Sequence, residues 1–299
     1  PRNFVLGFIS VVLIALVASC VLKFLDLPLT NNDVIRHYQI SKIAAASKPP
    51  GLIVVGDSSA GNAIDVATLS RLSGLRTMNL SLTGSWGLQG SEGMIRIARQ
   101  RFPDLKNVLI VQTLDIWMRP YPTDAVFELF PISEIRQRNS FDQILGYYFN
   151  LREIHWHLKA LRRRPSFQID RANDYIAQRP AKFSNGGRRA VVGKSIGNRK
   201  ITDDKLAELD SLTNYCRKEQ LNCILAHGPH LDVIVRNSNN YLTSVAKALL
   251  SRTDGVTLIN TPIALDASEM GDTTDHVSPA AKAKVTHIYY QMIAHLLAQ

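Results

Sequence analysis

A serine, a histidine and a set of aspartates stand in settings that suit nucleophilic catalysis. Ser58 lies in Gly56-Asp57-Ser58-Ser59, directly after the apolar run Leu52-Ile53-Val54-Val55. His276 closes the run Asp272-Thr273-Thr274-Asp275-His276 near the carboxyl end. A serine hydroxyl becomes a nucleophile beside a base; the base needs an orienting acid, and the developing oxyanion needs donors. Ser58, His276 and Asp272 fill the first three roles. Asp275 is a second candidate acid, and a backbone carbonyl could orient the ring instead. Asp272 is preferred because neighbouring side chains in an extended segment point apart. For the oxyanion, the Ser58 and Gly84 N–H groups are expected to donate, with Thr113 or Gln112 as a third source. Asp57, Asp115 and His230 are placed to support the site. The bland alternative is that Asp57-Ser58-Ser59 only caps a strand-to-helix turn.

These residues need a frame that brings distant segments to one edge. Residues 52–56 predict a short strand buried on both faces, as in the middle of a parallel sheet. A helix is expected from about residue 62 to 72, and strands at about 76–82, 107–112, 221–226 and 256–260. Intervening helices are expected from about 31 to 46, 88 onward, 202 to 219 and 231 to 250. The last helix is expected from Ser278-Pro279, serine as cap and proline in the first turn. Strand alternating with helix predicts an α/β fold with a doubly wound, five-stranded parallel sheet, and such sheets build their sites at the carboxyl ends of their strands. The ends of the strands at Ser58, Gly84, Thr113 and His227-Gly228-Pro229-His230 would then share a crevice with the loop before the last helix.

Gly56-Asp57-Ser58, Gly84 and Asp272 to His276 resemble the nucleophile block, second-block glycine and acid–histidine block of the SGNH (GDSL-type) hydrolase superfamily. The resemblance covers about residues 51–115 and 202–298. It implies a flavodoxin-like sheet and ester hydrolysis or acyl transfer by a serine–histidine pair, with no metal or organic cofactor. Two positions depart from the pattern. Leu114 stands where the third block carries an oxyanion-donating asparagine, and Thr273 stands three residues before the histidine, where the acid usually lies.

The 299 residues are 45% hydrophobic and 20% charged, which fits a folded chain with a real core. Residues 3–22 carry no charge, and about 20 such residues span a bilayer as a helix. Residues 1–26 are therefore expected to be a transmembrane signal anchor, with 27–299 an α/β domain on the extracytoplasmic, periplasmic side. A cleaved signal peptide is the first rival. A lipoprotein signal ending at Cys20 is the second, and the apolar Val21-Leu22 after the cysteine argues against it. Residues 118–201 break the alternation and form a basic insertion. From Arg162 to Lys200 eleven Arg and Lys stand against only Asp170 and Asp174, which is +9 of the formal +10. Charge this local is expected either to be a solvated loop or to meet an anionic glycan or lipid headgroups. Nucleic acid is not expected, since no binding motif is present. Cys216 and Cys223 could pair in an oxidising compartment or remain buried thiols, and they lack two further ligands for a metal. The expected substrate is an O-acyl group, such as acetyl, on an envelope or exported carbohydrate, with transfer to a sugar hydroxyl or non-catalytic glycan binding as alternatives.

Overall fold

In the computed structural model the described residues are 2–26, 28, 30–148, 168–171, 174–176, 193–197, 201–252 and 254–297, with the side chains of 2–4, 22 and 24 left aside. Five strands form one parallel sheet: β1 (Leu52–Gly56), β2 (Thr77–Asn79), β3 (Asn107–Gln112), β6 (Asn222–His227) and β8 (Val256–Ile259), in the order β2-β1-β3-β6-β8. Two short pairs accompany it, β4 (Ile169–Asp170) with β5 (Tyr175–Ile176), and β7 (His230–Leu231) with β9 (Ala264–Leu265). The expected α/β class and its five parallel strands are therefore present.

The continuous apolar runs of the central strands have a direct cause. Successive side chains point to opposite faces, and both faces are covered. Ile53, Val55, Val108, Ile110 and Leu225 join one buried cluster, and Leu52, Val54, Leu109, Val111 and Ile224 join another. The helices are α1 (Arg2–Leu25), α2 (Asn31–Ala45), α3 (Ser58–Ala63), α4 (Val66–Ser73), α5 (Gly87–Arg101), α6 (Thr123–Leu129), α7 (Ile132–Arg138), α8 (Phe141–Tyr148), α9 (Asp203–Lys218), α10 (Asp232–Asn237), α11 (Asn239–Leu250) and α12 (Lys282–Ile293). The first cluster packs under α5, α6, α9 and α11, and the second under α3, α4 and α12. Each buried Val, Leu or Ile contributes about 1.5–3 kcal/mol, so a strand with all five residues buried has little freedom to slip.

Four expectations need correction. The helix expected over 62–72 is two helices, because Asp57 caps α3 at once and Asp65 caps α4, each accepting a backbone N–H. The helix expected over 231–250 likewise divides at Ser238, whose hydroxyl donates to Ile234 O. The last helix begins at Lys282 rather than at Ser278-Pro279. Ser278 is buried, its N–H donates to Glu269 O at 2.8 Å, and it belongs to a turn closed by Ala281 N–H. Finally, among the described residues no helix is long and apolar enough to cross a membrane. The last turn of α1 is engaged by the domain: Lys23 lies 4.0 Å from the centre of the Tyr147 ring and 3.9 Å from Glu128.

Cys216 and Cys223 are joined as a disulfide that ties α9 to β6. Most of the basic run from Arg162 to Lys200 lies outside the described residues. The β4–β5 pair within it docks on the body: Tyr175 is buried and its hydroxyl donates to Leu82 O, while Asp174 pairs with Lys42 at 2.7 Å.

Candidate active site

The parallel register levels the strand ends. Gly56 stands beside Val111, and Gln112 beside His227, so the residues that follow β1, β3 and β6 meet at one carboxyl edge. Sheet order reverses around β1, and a crevice opens at such a point. Gly56 adopts φ +148°, and a Cβ there would lie 1.8 Å from Val111 O. Only glycine lets the chain turn out of β1 so close to β3.

Asp57 follows and is buried. Its Oδ1 accepts from Ser59 N–H at 2.9 Å and Ser59 Oγ at 2.6 Å, and its Oδ2 accepts from Thr113 N–H at 2.9 Å. Burial pushes its carboxyl above the usual range, against the pull of these bonds and of the Arg119 charge. Asp57 is thus the clamp between the turn after β1 and the end of β3. The two serines divide accordingly. Ser59 is wholly buried with its hydroxyl held by Asp57, whereas Ser58 is half-buried and its carbonyl accepts from Asn62 Nδ2 at 2.7 Å. Of the pair, Ser58 is the one with its flank open.

The histidine loop is a closed hairpin rather than an extended segment. Met270 bridges Val277, and Gly271 N–H donates to His276 O at 2.7 Å. That closure carries Asp272 back alongside His276, and Asp272 Oδ1 lies 2.7 Å from His276 Nδ1. Asp275 makes no hydrogen bond to the ring among the described residues; its Oδ1 accepts from Thr273 Oγ1 at 2.5 Å. Leu231 N–H donates to Thr274 O at 2.9 Å, which fastens the loop to the segment after β6. On the other side α12 packs on α3, and Thr286 Oγ1 donates to Ala63 O. Burial draws His276 down. The Asp272 bond and the charges of Asp275, Asp272 and Asp57 outweigh it and hold the ring above its ordinary value. Asp275 stays below the usual carboxylate range: burial raises it, while His276, the Thr273 bond, His230 and Arg119 lower it further.

His230 is buried, and its Nδ1 accepts from Leu231 N–H at 3.1 Å, which leaves the proton on Nε2. Burial lowers its pKa, against the charges of Asp275 and Asp115. His227 is also buried, is pushed down to about 4, and contacts Asn260 rather than the crevice. Asp115 binds Arg119, with Oδ1 at 3.1 Å from Nε and 2.8 Å from Nη2.

The expected oxyanion donors fare unequally. Gly84 opens a 3-10 turn over Gly84–Trp86, the position whose N–H has no acceptor within the turn. Thr113 N–H is already given to Asp57, and Gln112 Nε2 donates to Gly87 O and Ser91 Oγ, so neither of these two groups is free to be a third donor. Among the described residues Ser58 Oγ and His276 share no hydrogen bond. Such bonds often close only when substrate is present. Among the described residues no cluster of three or more metal-ligating side chains is formed. Sequence reasoning passed over Arg119. Its four-residue spacing from Asp115 was the available signal, but only the fold lays it across the crevice.

Compared with known proteins, the chain matches no family model, no curated protein and no solved structure at a significant level.

Proposed function

We propose that this chain is a serine-dependent ester hydrolase of the SGNH (GDSL-type) kind, built on a flavodoxin-like sheet. Its substrate is an O-acyl or O-acetyl group on a cell-envelope or exported carbohydrate. The observation that supports this most is the Asp272–His276 pair, 2.7 Å apart, in a loop fastened to the same sheet edge that presents Ser58. In this reading Ser58 Oγ attacks the ester carbonyl and His276 Nε2 takes its proton. The bond from Asp272 keeps Nδ1 protonated and leaves Nε2 as the base. His276 then returns the proton to the leaving alcohol, and water or a sugar hydroxyl resolves the acyl-enzyme by the same route.

Location carries the carbohydrate half of the reading. Helix α1 leaves Val5, Leu6, Phe8, Val11, Ile14 and Val17 exposed, an apolar flank suited to contact with an envelope lipid surface. An extracytoplasmic location for the domain fits the Cys216–Cys223 disulfide, which would persist there. The basic run, Arg162 to Lys200, is then available to anionic glycan or lipid near the membrane surface.

The competing reading is a non-catalytic domain that holds a glycan for export or synthesis. It is favoured by the engagement of Thr113 N–H with Asp57 and by the absence, among the described residues, of a Ser58–His276 hydrogen bond. A fluorophosphonate probe separates the two in the detergent-solubilised full chain. Labelling should occur, and should be lost in both Ser58→Ala and His276→Ala together with p-nitrophenyl acetate cleavage. A folded wild-type chain that takes no label is a glycan-binding protein instead.

A further inference from the structure

Thr113 N–H and Gln112 Nε2 are engaged elsewhere, and a cation stands at the same strand ends. The 3-10 turn Leu114–Met118 follows β3 and is capped by Arg119, whose guanidinium lies against Gly84 in the turn after β2. Leu114 itself is buried, and its carbonyl is taken by Tyr241 Oη at 2.9 Å. Asp115 grips Nε and Nη2 of Arg119, and this fixes the plane of the guanidinium. Nη1 makes no hydrogen bond among the described residues. It lies against Gly84: a Cβ at that glycine would fall 1.5 Å from Nη1. Glycine is therefore required at position 84 by the guanidinium that rests on it. The charge of Arg119 also reaches Asp57, next to Ser58, and Asp275, next to His276.

Taken together, we propose that Arg119 is a catalytic residue, its Nη1 N–H donating, beside Gly84 N–H, to the oxyanion formed when Ser58 attacks an ester. This rests on the serine-hydrolase reading above. As the Ser58 Oγ–carbon bond forms, the carbonyl π pair moves onto oxygen, and the serine proton passes to His276. The negative oxygen is held by Nη1 and Gly84 N–H. Collapse restores the carbonyl and expels the alkoxide, which takes its proton from His276. A charge-assisted donor is stronger than a neutral one, so a single guanidinium can replace the missing neutral group. The setting also selects what Arg119 holds. Asp57, Asp115 and Asp275 surround it, so a substrate carboxylate would meet net negative charge, while a localised oxyanion needs only one N–H. The acyl ester taken is accordingly an uncharged one at the reacting end.

The test uses the full-length chain in detergent with p-nitrophenyl acetate, a neutral ester, and a fluorophosphonate. Arg119→Ala should lower kcat by about 10²–10³-fold with KM unchanged, and slow probe labelling in step. Arg119→Lys, which keeps the charge and loses the fork, should recover only part. A kcat at the wild-type level in Arg119→Ala overturns the assignment, as does a rise in KM with kcat held, which marks ground-state binding. If Arg119→Ala does not fold, a wild-type kcat in Arg119→Lys overturns it. Failure of wild type to take the probe overturns the serine reading and this assignment together, whereas labelling indifferent to Arg119 overturns this assignment alone.

Discussion

In the proposed mechanism His276 carries the pH dependence of the site. Its raised pKa, above the ordinary 6.5, arises because the Asp272 bond and three aspartate charges outweigh burial. A general base works when neutral, so kcat/KM should rise with pH through a midpoint above 6.5. Asp272→Asn removes one of those charges and the partner that fixes the ring, so the midpoint should move to lower pH and the plateau should fall by about 10²-fold or more. A pH–rate profile of the two proteins checks this, and an unmoved midpoint would show that Asp272 does not act on the ring. The linkage to stability has the opposite sense. A folded-state pKa above the unfolded value means that His276 stabilises the fold fully below about 6.5, and that this contribution is lost as pH rises through the folded value.

At the scale of elements, the site depends on how firmly β6 is held, since β6 leads into both His230 and the anchorage of the histidine loop. Its Cys223 is tied to Cys216 of α9, whose Glu208 and Lys205 form a buried pair 2.7 Å apart. Burial pushes Glu208 up to about 7 despite that partner. Removing the disulfide frees the unfolded chain of a short closed loop, a loss of about 2–4 kcal/mol. A Cys216→Ser, Cys223→Ser double variant should unfold at correspondingly lower denaturant while still labelling at Ser58 when folded. Equal midpoints for oxidised wild type and variant would mean that the bridge does not bear on stability. The β4–β5 pair acts at the same scale. Tyr175, seated beside α3, makes this part of the basic insertion a wall of the nucleophile segment rather than a distant loop.

For the molecule as a whole, the end of α1 is fastened to the domain. Lys23 lies 4.0 Å from the centre of the Tyr147 ring and 3.9 Å from Glu128, and Arg36 pairs with both Asp26 and Glu128. If the exposed apolar flank of α1 lies on a lipid surface, this clasp holds the proposed site's edge near the lipid instead of on a loose tether. The full chain should therefore float with phosphatidylcholine vesicles and resist extraction by high salt, whereas a chain starting at residue 28 should stay in solution. Salt-sensitive binding of the full chain would point to the basic run instead of α1 as the membrane contact.

Much of the framework was legible locally. β1 and β3 were placed to the residue from their apolar runs, because a strand buried on both faces writes its burial into consecutive positions. The breaks at Ile64 and Ser238 were not legible, since apolar spacing continues across them while a capping hydrogen bond decides the end. Ser58, His276 and Asp272 could be nominated from residue type and order along an alternating chain. The preference for Asp272 over Asp275 rested on an extended segment, whereas the loop is closed. The closure of the 271–276 loop sets Asp272 on the ring, and the burial of Ser59 against Asp57 leaves Ser58 on the open side. The levelling of β1 with β3 spends the Thr113 N–H on Asp57 and draws Arg119 over Gly84. Each of these turns on contacts between segments far apart in sequence, formed only when the sheet assembles, and short-range pattern carries no record of them.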